Sequence, residues 1–332
     1  VASRPLPRRT VLGAAGATLA AATVGASLLL PRGPLRAAPA GAPGAGGAPE
    51  TAGGALALRT RPLPRTGEPL PVIGLGTWQT FDAGPAERGP LREVLARFLA
   101  AGARVVDSSP MYGRAEETVG ALLGELHAEG AGAPARPFLA TKVWTQGREA
   151  GVRQMEQSLQ RMGGRLDLLQ VHNLLDWQVH LDTLRAWKRE GRIRHLGVTH
   201  YQRSAFDALE RLVRTESLDF VQLPYSVSFR DAEARLLPAA RDTGTAVLVM
   251  RPFEGGDLFA SVRGKPLPPF AREWGAESWA QLFLKFLLGH PAVTCPIPAT
   301  RKLRHLEDNL RAGVGPLPDA AQRRELLRVL GV

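Results

Sequence analysis

Four side chains of complementary chemistry stand where short apolar runs end. VVDSSPMYG (residues 105–113) ends its run on Asp107 and carries Tyr112 on the loop that follows. ATKVW (140–144) presents Lys142, and LLQVHN (168–173) presents His172. Singly, each has an ordinary role: Asp107 as a cap, Tyr112 as a wall, Lys142 as a solvated charge, His172 as a hydrogen-bonded core group. Together they compose a proton donor. A phenol with a pKa of about 10 is a poor acid near neutrality, but an adjacent ammonium stabilises the phenolate and lowers that value. Asp107 would hold Lys142 in place and charged, while His172 would orient a carbonyl oxygen and share its proton traffic. Such a site supplies a proton but no electrons, so carbonyl reduction there also requires a hydride source, which implies a nicotinamide cofactor.

These residues can meet only if the runs that carry them are neighbours. Eight strand-like runs occur at residues 72–76, 104–108, 138–142, 166–172, 193–198, 219–223, 246–250 and 293–297. Between them, apolar residues recur at helical spacing, as in PLREVLARFLAAG (90–102), AEETVGALLGEL (115–126), VRQMEQSLQRMG (152–163) and AFDALERLVR (205–214). Gly102, Gly163 and Gly191 stand where a left-handed C-terminal residue belongs. Regular alternation predicts an α/β fold with a parallel sheet, and eight repeats favour a (β/α)8 TIM barrel over a doubly wound open sheet. In a barrel, chemistry collects at the C-terminal ends of the strands, where Asp107, Lys142 and His172 stand. Residues 56–74 hold two extended pieces around Thr66-Gly67, an N-terminal β-hairpin expected to close the barrel floor. Residues 254–274 are long for a βα connection and form a candidate lid. An extra C-terminal helix is predicted over residues 319–330.

Six segments, VVDSSPMYG, ATKVW, LLQVHN, LGVTHY (196–201), FVQLPYS (220–226) and IPATRKLRHLEDN (297–309), resemble in order and spacing the aldo-keto reductases, over nearly all of residues 58–332. That resemblance implies Tyr112 as general acid, Lys142 and Asp107 as its tuning pair, and His172 as the residue positioning a carbonyl substrate. It further implies that Gln222, with Thr199 and His200, holds a nicotinamide carboxamide, and that Met250, followed by Arg251, occupies the stacking position. Thr300 and Arg301 would lie near a 2′-phosphate, and Asp308 and Asn309 near adenine. Two departures touch cofactor grip rather than the four central residues: Thr199-His200 replaces the usual Ser-Asn, and Met250 replaces the usual Tyr. The residues themselves add that Thr300, Arg301 and Lys302 open a helix, where backbone donors, helix dipole and cations converge on a phosphate. This favours NADPH, with NADH as the alternative. Trp78 and Trp144, with Trp177 a third possibility, are candidates for an aromatic substrate pocket. VIGLGTWQ has Gln79 where a dinucleotide fingerprint has its third Gly, so it reads as the first barrel strand. The seven His show no metal-ligand spacing, and no metal is expected.

The chain has 332 residues and a net charge of +11, from 42 Lys and Arg against 31 Asp and Glu. Residues 1–40 contain five Arg and no acid, so the remainder carries 37 minus 31, or +6. A nucleic-acid partner is therefore not expected. One cysteine, Cys295, excludes an internal disulfide. Arg8 and Arg9 precede an uncharged stretch (10–30) and Ala38-Pro39-Ala40, the order of a twin-arginine signal peptide with cleavage after Ala40. The expected organisation is signal peptide (1–40), Gly/Pro/Ala-rich disordered linker (41–56) and a monomeric barrel (57–332). It implies engagement of the twin-arginine export machinery and a periplasmic location, with an uncleaved membrane anchor as the alternative. A rival in function is a cofactor-binding regulatory or partner subunit that keeps the barrel but turns over little.

Overall fold

The computed structural model describes residues 56–130 and 136–332, and the expected signal peptide and nearly all of the linker lie outside them. The first strands, β1 (Thr60–Pro62) and β2 (Pro69–Pro71), pair antiparallel through a turn in which Gly67 has φ 72°. Eight parallel strands follow: β3 (Leu75–Gly76), β4 (Val105–Asp107), β5 (Phe138–Val143), β6 (Leu168–His172), β7 (His195–Thr199), β8 (Phe220–Pro224), β9 (Ala246–Met250) and β10 (Cys295–Pro296). They lie side by side in chain order. The last meets the first: Gly74 N donates to Pro296 O, Gly76 N donates to Pro298 O, and Gly76 bridges Ala299 in parallel. The helices between strands are α1 (Gly89–Ala100), α2 (Ala115–Ala128), α3 (Arg148–Arg161), α4 (Trp177–Arg189), α5 (Phe206–Thr215), α6 (Leu236–Thr243), α7 (Asp257–Ser261) and α8 (Trp279–Leu288). The helices α9 (Leu303–Arg311) and α10 (Ala320–Leu330) complete the chain. This is the expected (β/α)8 barrel.

Its interior follows from the two-residue period of a strand. Phe138, Ala140, Leu168, Phe220, Ala246, Leu248 and Cys295 belong to one apolar cluster, whereas the alternate residues Leu139, Val143, Leu169, Val171, Val221 and Val249 pack in another that includes the helices' apolar faces. Leu63 and Leu70 of the hairpin join the first cluster, so the hairpin closes the floor as expected. Continuing each inward row toward the strand ends leads from Phe138 through Ala140 to Lys142, from Leu168 to His172, from Val105 to Asp107 and from Phe220 to Gln222. Apolar residues fill the lower barrel, and polar ones crown it. A slip of one residue in any of these strands would turn its polar end out of the barrel.

Two boundaries differ from expectation. Thr300 and Arg301 precede α9, and Lys302 is its extended N-cap residue, so the three do not form its first turn. The last helix begins after Asp319, whose carboxylate accepts from Ala321 N and Gln322 N. The 254–274 connection is built rather than loose. It contains α7 and short 3-10 turns, Glu254 accepts hydrogen bonds from Ser226 and Ser228, and Trp274 is buried. Among the described residues no helix is long and apolar enough to cross a membrane.

Close helix packing generates a test. A Cβ on Gly120 of α2 would lie 1.8 Å from the Arg161 carbonyl oxygen, whereas one on Gly124 would meet nothing within 4 Å. Gly120→Ala should lower the urea unfolding free energy by about 1–3 kcal/mol. Gly124→Ala should leave it unchanged or raise it by up to about 1 kcal/mol. Equal effects would show that this contact does not constrain the helix pair.

Candidate active site

Strand register brings Asp107, Lys142 and His172 to one rim, and the turn after β4 adds Tyr112. Tyr112 N donates to Ser109 O at 3.0 Å, closing that turn. Lys142 is fully buried, and its Nζ donates to Asp107 Oδ2 and to Ser108 O, both at 2.7 Å. The other carboxylate oxygen, Oδ1, accepts from Gln222 Nε2 at 2.9 Å and Gln170 Nε2 at 3.2 Å. The Lys142 Nζ lies 5.0 Å from the centre of the Tyr112 ring, and the Tyr112 and His172 rings meet edge to face at 6.0 Å. The four residues singled out for proton chemistry therefore occupy one cluster.

Their electrostatics depart from the simplest expectation. Burial pushes the Tyr112 hydroxyl above the usual phenol value, and the Lys142 ammonium pulls in the other direction without prevailing. Lys142 alone thus does not make this phenol unusually acidic. Burial acts to lower the Lys142 pKa, but the Asp107 carboxylate and Tyr112 outweigh it and hold the ammonium above its ordinary value. His172 is pulled down to about 2 by burial and then by Lys142 and His200. It is neutral throughout the physiological range, so it can donate or accept a hydrogen bond but holds no spare proton. Part of the expected role, proton sharing, is therefore lost; orientation remains.

A cavity of about 930 Å3 opens over the cluster. Trp78 and Trp144 line it and are about half exposed, with Trp144 at 6.5 Å from the His172 ring. Trp177 packs against the core and does not line the cavity. From the cluster of Asp107, Tyr112 and His172 the cavity runs past Gln222, Met250 and Arg251 to Thr300, Asp308 and Asn309. Thr199 is buried beneath it, its Oγ1 donating to Gln222 Oε1 at 3.2 Å, and His200 stacks on Tyr201 while its Nδ1 accepts from Gln202 N. Neither lines the cavity. Gln222 does, but its amide is engaged with Asp107 and Thr199, so it links the Lys142–Asp107 pair to Thr199. Arg301 is exposed and off the lining, and His305 occupies that end instead. Asp308 has both oxygens engaged, accepting from Ser278 Oγ at 2.8 Å and Gln281 Nε2 at 2.7 Å. It braces α8 against α9. Among the described residues no group of three or more His, Cys, Asp or Glu could hold a metal ion.

Sequence reasoning missed Ser109, Gln170, Met111, Tyr201, Phe253 and Phe259. The first two touch His172 and Asp107 within the barrel, and the others line the cavity. Tyr201 ends the LGVTHY segment and Ser109 lies inside VVDSSPMYG, so both sat within motifs already marked. Gln170 had a subtler signal: it is a polar residue on the inward row between Leu168 and His172.

The architecture and the site have relatives. The model of the Aldo/keto reductase family matches residues 72–324. An "Aldo-keto reductase" of Mycobacterium sp. (strain JLS) is 35% identical over 146 residues, which are 41% of this chain and 48% of the relative. The chain thus spans about half the length of that curated relative. The "NADH-specific methylglyoxal reductase" of Escherichia coli (strain K12) is 28% identical over 252 residues, 65% of this chain and 73% of that protein. An aldo/keto reductase from Klebsiella pneumoniae, solved in complex with NADP and acetate, superposes with a TM-score of 0.66 at 27% identity, covering 82% of this chain and 95% of that one. With a family model matched from the first barrel strand into the last helix, the chain belongs to the aldo/keto reductase family.

Proposed function

We propose that the protein reduces an aldehyde or ketone to an alcohol, with NADPH as reductant and Tyr112 as proton donor. The observation that carries this reading is the buried Lys142–Asp107 pair beneath Tyr112 at the base of the cavity. The cavity is longer than a small carbonyl compound needs. Beyond Met250 it passes Gly255 and Gly256, which turn at φ 73° and 112°, and a Cβ on either would meet nothing within 4 Å. That open backbone cradle, leading to Thr300 and Asn309, fits a dinucleotide. When bound, a nicotinamide supplies the hydride that no side chain here can provide.

The chain's own residues do the rest. His172, neutral and beside Tyr112, orients the carbonyl oxygen by hydrogen bonding. Tyr112 gives its proton to that oxygen as negative charge develops there. The resulting phenolate is stabilised by the Lys142 ammonium, which Asp107 keeps charged and in place. Trp78 and Trp144 flank the carbonyl compound at the mouth. NADPH is favoured by the NADP-bound Klebsiella relative; the NADH-specific Escherichia coli relative keeps NADH as the alternative. The leader's arginine pair supports export through the twin-arginine route, with cofactor already loaded, to the periplasm.

A second reading, a cofactor-binding partner subunit with little turnover, draws on the departures at Thr199-His200 and Met250, which touch the cofactor's nicotinamide end and leave the proton-donating residues in place. Titrating NADPH by fluorescence and then adding a panel of aldehydes separates the two. Reductase activity predicts both binding and oxidation, the partner role predicts binding without oxidation, and failure to bind contradicts both. Tyr112→Phe should reduce turnover by at least about a hundredfold while leaving NADPH affinity within about twofold. Full turnover by that variant would remove Tyr112 as the acid. Because His172 is held at about 2 and Tyr112 above its ordinary value, reduction should show no ionisation limb from these two groups between about pH 6 and 9. A limb near the ordinary histidine value that disappears in His172→Gln would contradict the neutral-imidazole assignment.

A further inference from the structure

Ser109 is fully buried and lies between two of the central residues. Its carbonyl accepts from Tyr112 N, and its Oγ lies 3.1 Å from His172 Nδ1. The same Oγ accepts from Met111 N at 3.3 Å. A hydroxyl has one proton to give, and among the described residues the His172 ring nitrogen is the acceptor the geometry offers it. If Nδ1 carried the ring proton instead, the Ser109 hydroxyl proton would be buried without a partner, an arrangement that costs free energy. The neutral ring therefore satisfies both groups when Nδ1 accepts and Nε2 carries the hydrogen. His172 lines the cavity, and Nε2 is neither bonded to another described residue nor among the buried unpartnered atoms, so it faces the cavity. A hydrogen there is a donor aimed at a substrate oxygen; a lone pair there would repel one.

We propose that Ser109 is a positioning residue that fixes His172 in the Nε2–H tautomer, and so determines that the imidazole donates to the carbonyl oxygen. The inference rests on the reductase reading for its purpose but not for its geometry. Ser109 moves no proton to substrate. It acts through the ring, much as an orienting group selects the useful tautomer of a catalytic histidine elsewhere.

Nitrogen-15 NMR of the full chain labelled in histidine tests this directly, without turnover. The His172 resonances, identified by their loss in His172→Gln, should report Nε2–H at neutral pH in the wild type. Ser109→Ala should yield a mixture of tautomers and lower kcat for carbonyl reduction by about tenfold with little change in NADPH affinity. Ser109→Thr, which keeps the hydroxyl, should restore both the tautomer and the rate. An Nδ1–H tautomer in the wild type, or an unchanged tautomer in Ser109→Ala, would overturn the proposal. The predicted tautomer without reduction of any carbonyl would instead leave the positioning intact and count against the reductase reading.

Discussion

The structure turns on one buried ion pair. Lys142 is fully buried and the Asp107 side chain almost so, and an ion taken out of water costs several kcal/mol unless its partners replace the lost solvation. The partners come from different strands: Asp107 from β4, Lys142 from β5, Gln170 from β6 and Gln222 from β8. The pair is satisfied only when these strands stand in the observed register. Removing either ion would strand the other in a nearly dry interior. The geometry that keeps an ammonium beneath Tyr112 is therefore the same geometry that specifies the upper barrel.

Floor and rim divide the labour. The lower barrel is filled by Phe138, Leu168, Phe220 and the two hairpin leucines, Leu63 and Leu70. Beneath them Glu68, Asp167 and Arg194 form surface-side ion pairs. Many arginines of the barrel are committed in this manner, as with Arg185 to Glu216 and Arg323 to Glu233. Much of the basic content thus serves the scaffold. Further polar groups gather at the opposite end, around the cavity.

Much of this was legible in the residues. Strand positions could be read because apolar runs end abruptly in polar residues, and the inward row of β5, Phe138, Ala140 and Lys142, carries its function in the same alternation that carries its packing. Asp107, Tyr112, Lys142 and His172 were found for that reason. What escaped was pairing between side chains distant in sequence. That Asp308 is occupied by Ser278 and Gln281, or that Gln222 spends its amide on Asp107, depends on interhelix and interstrand geometry that no local pattern encodes. The acidity of Tyr112 was misjudged for a related reason: composition shows the nearby cation but not the depth of burial opposing it. Thr300 and Arg301 read as a helix start because residues just ahead of a cap resemble a first turn in composition.

The central claim is that the Lys142 ammonium opposes burial at Tyr112 and holds the phenol below the value burial alone would give it. With only three tyrosines in the chain, carbon-13 labelling of the tyrosine ring allows the Tyr112 resonance to be followed through a pH titration and identified by its loss in Tyr112→Phe. Replacing Lys142 by Met removes the opposing charge and leaves burial and the Asp107 carboxylate, both of which act upward, so the Tyr112 midpoint should move further up, by about one pH unit or more. An unchanged or lower midpoint in Lys142→Met would contradict the account.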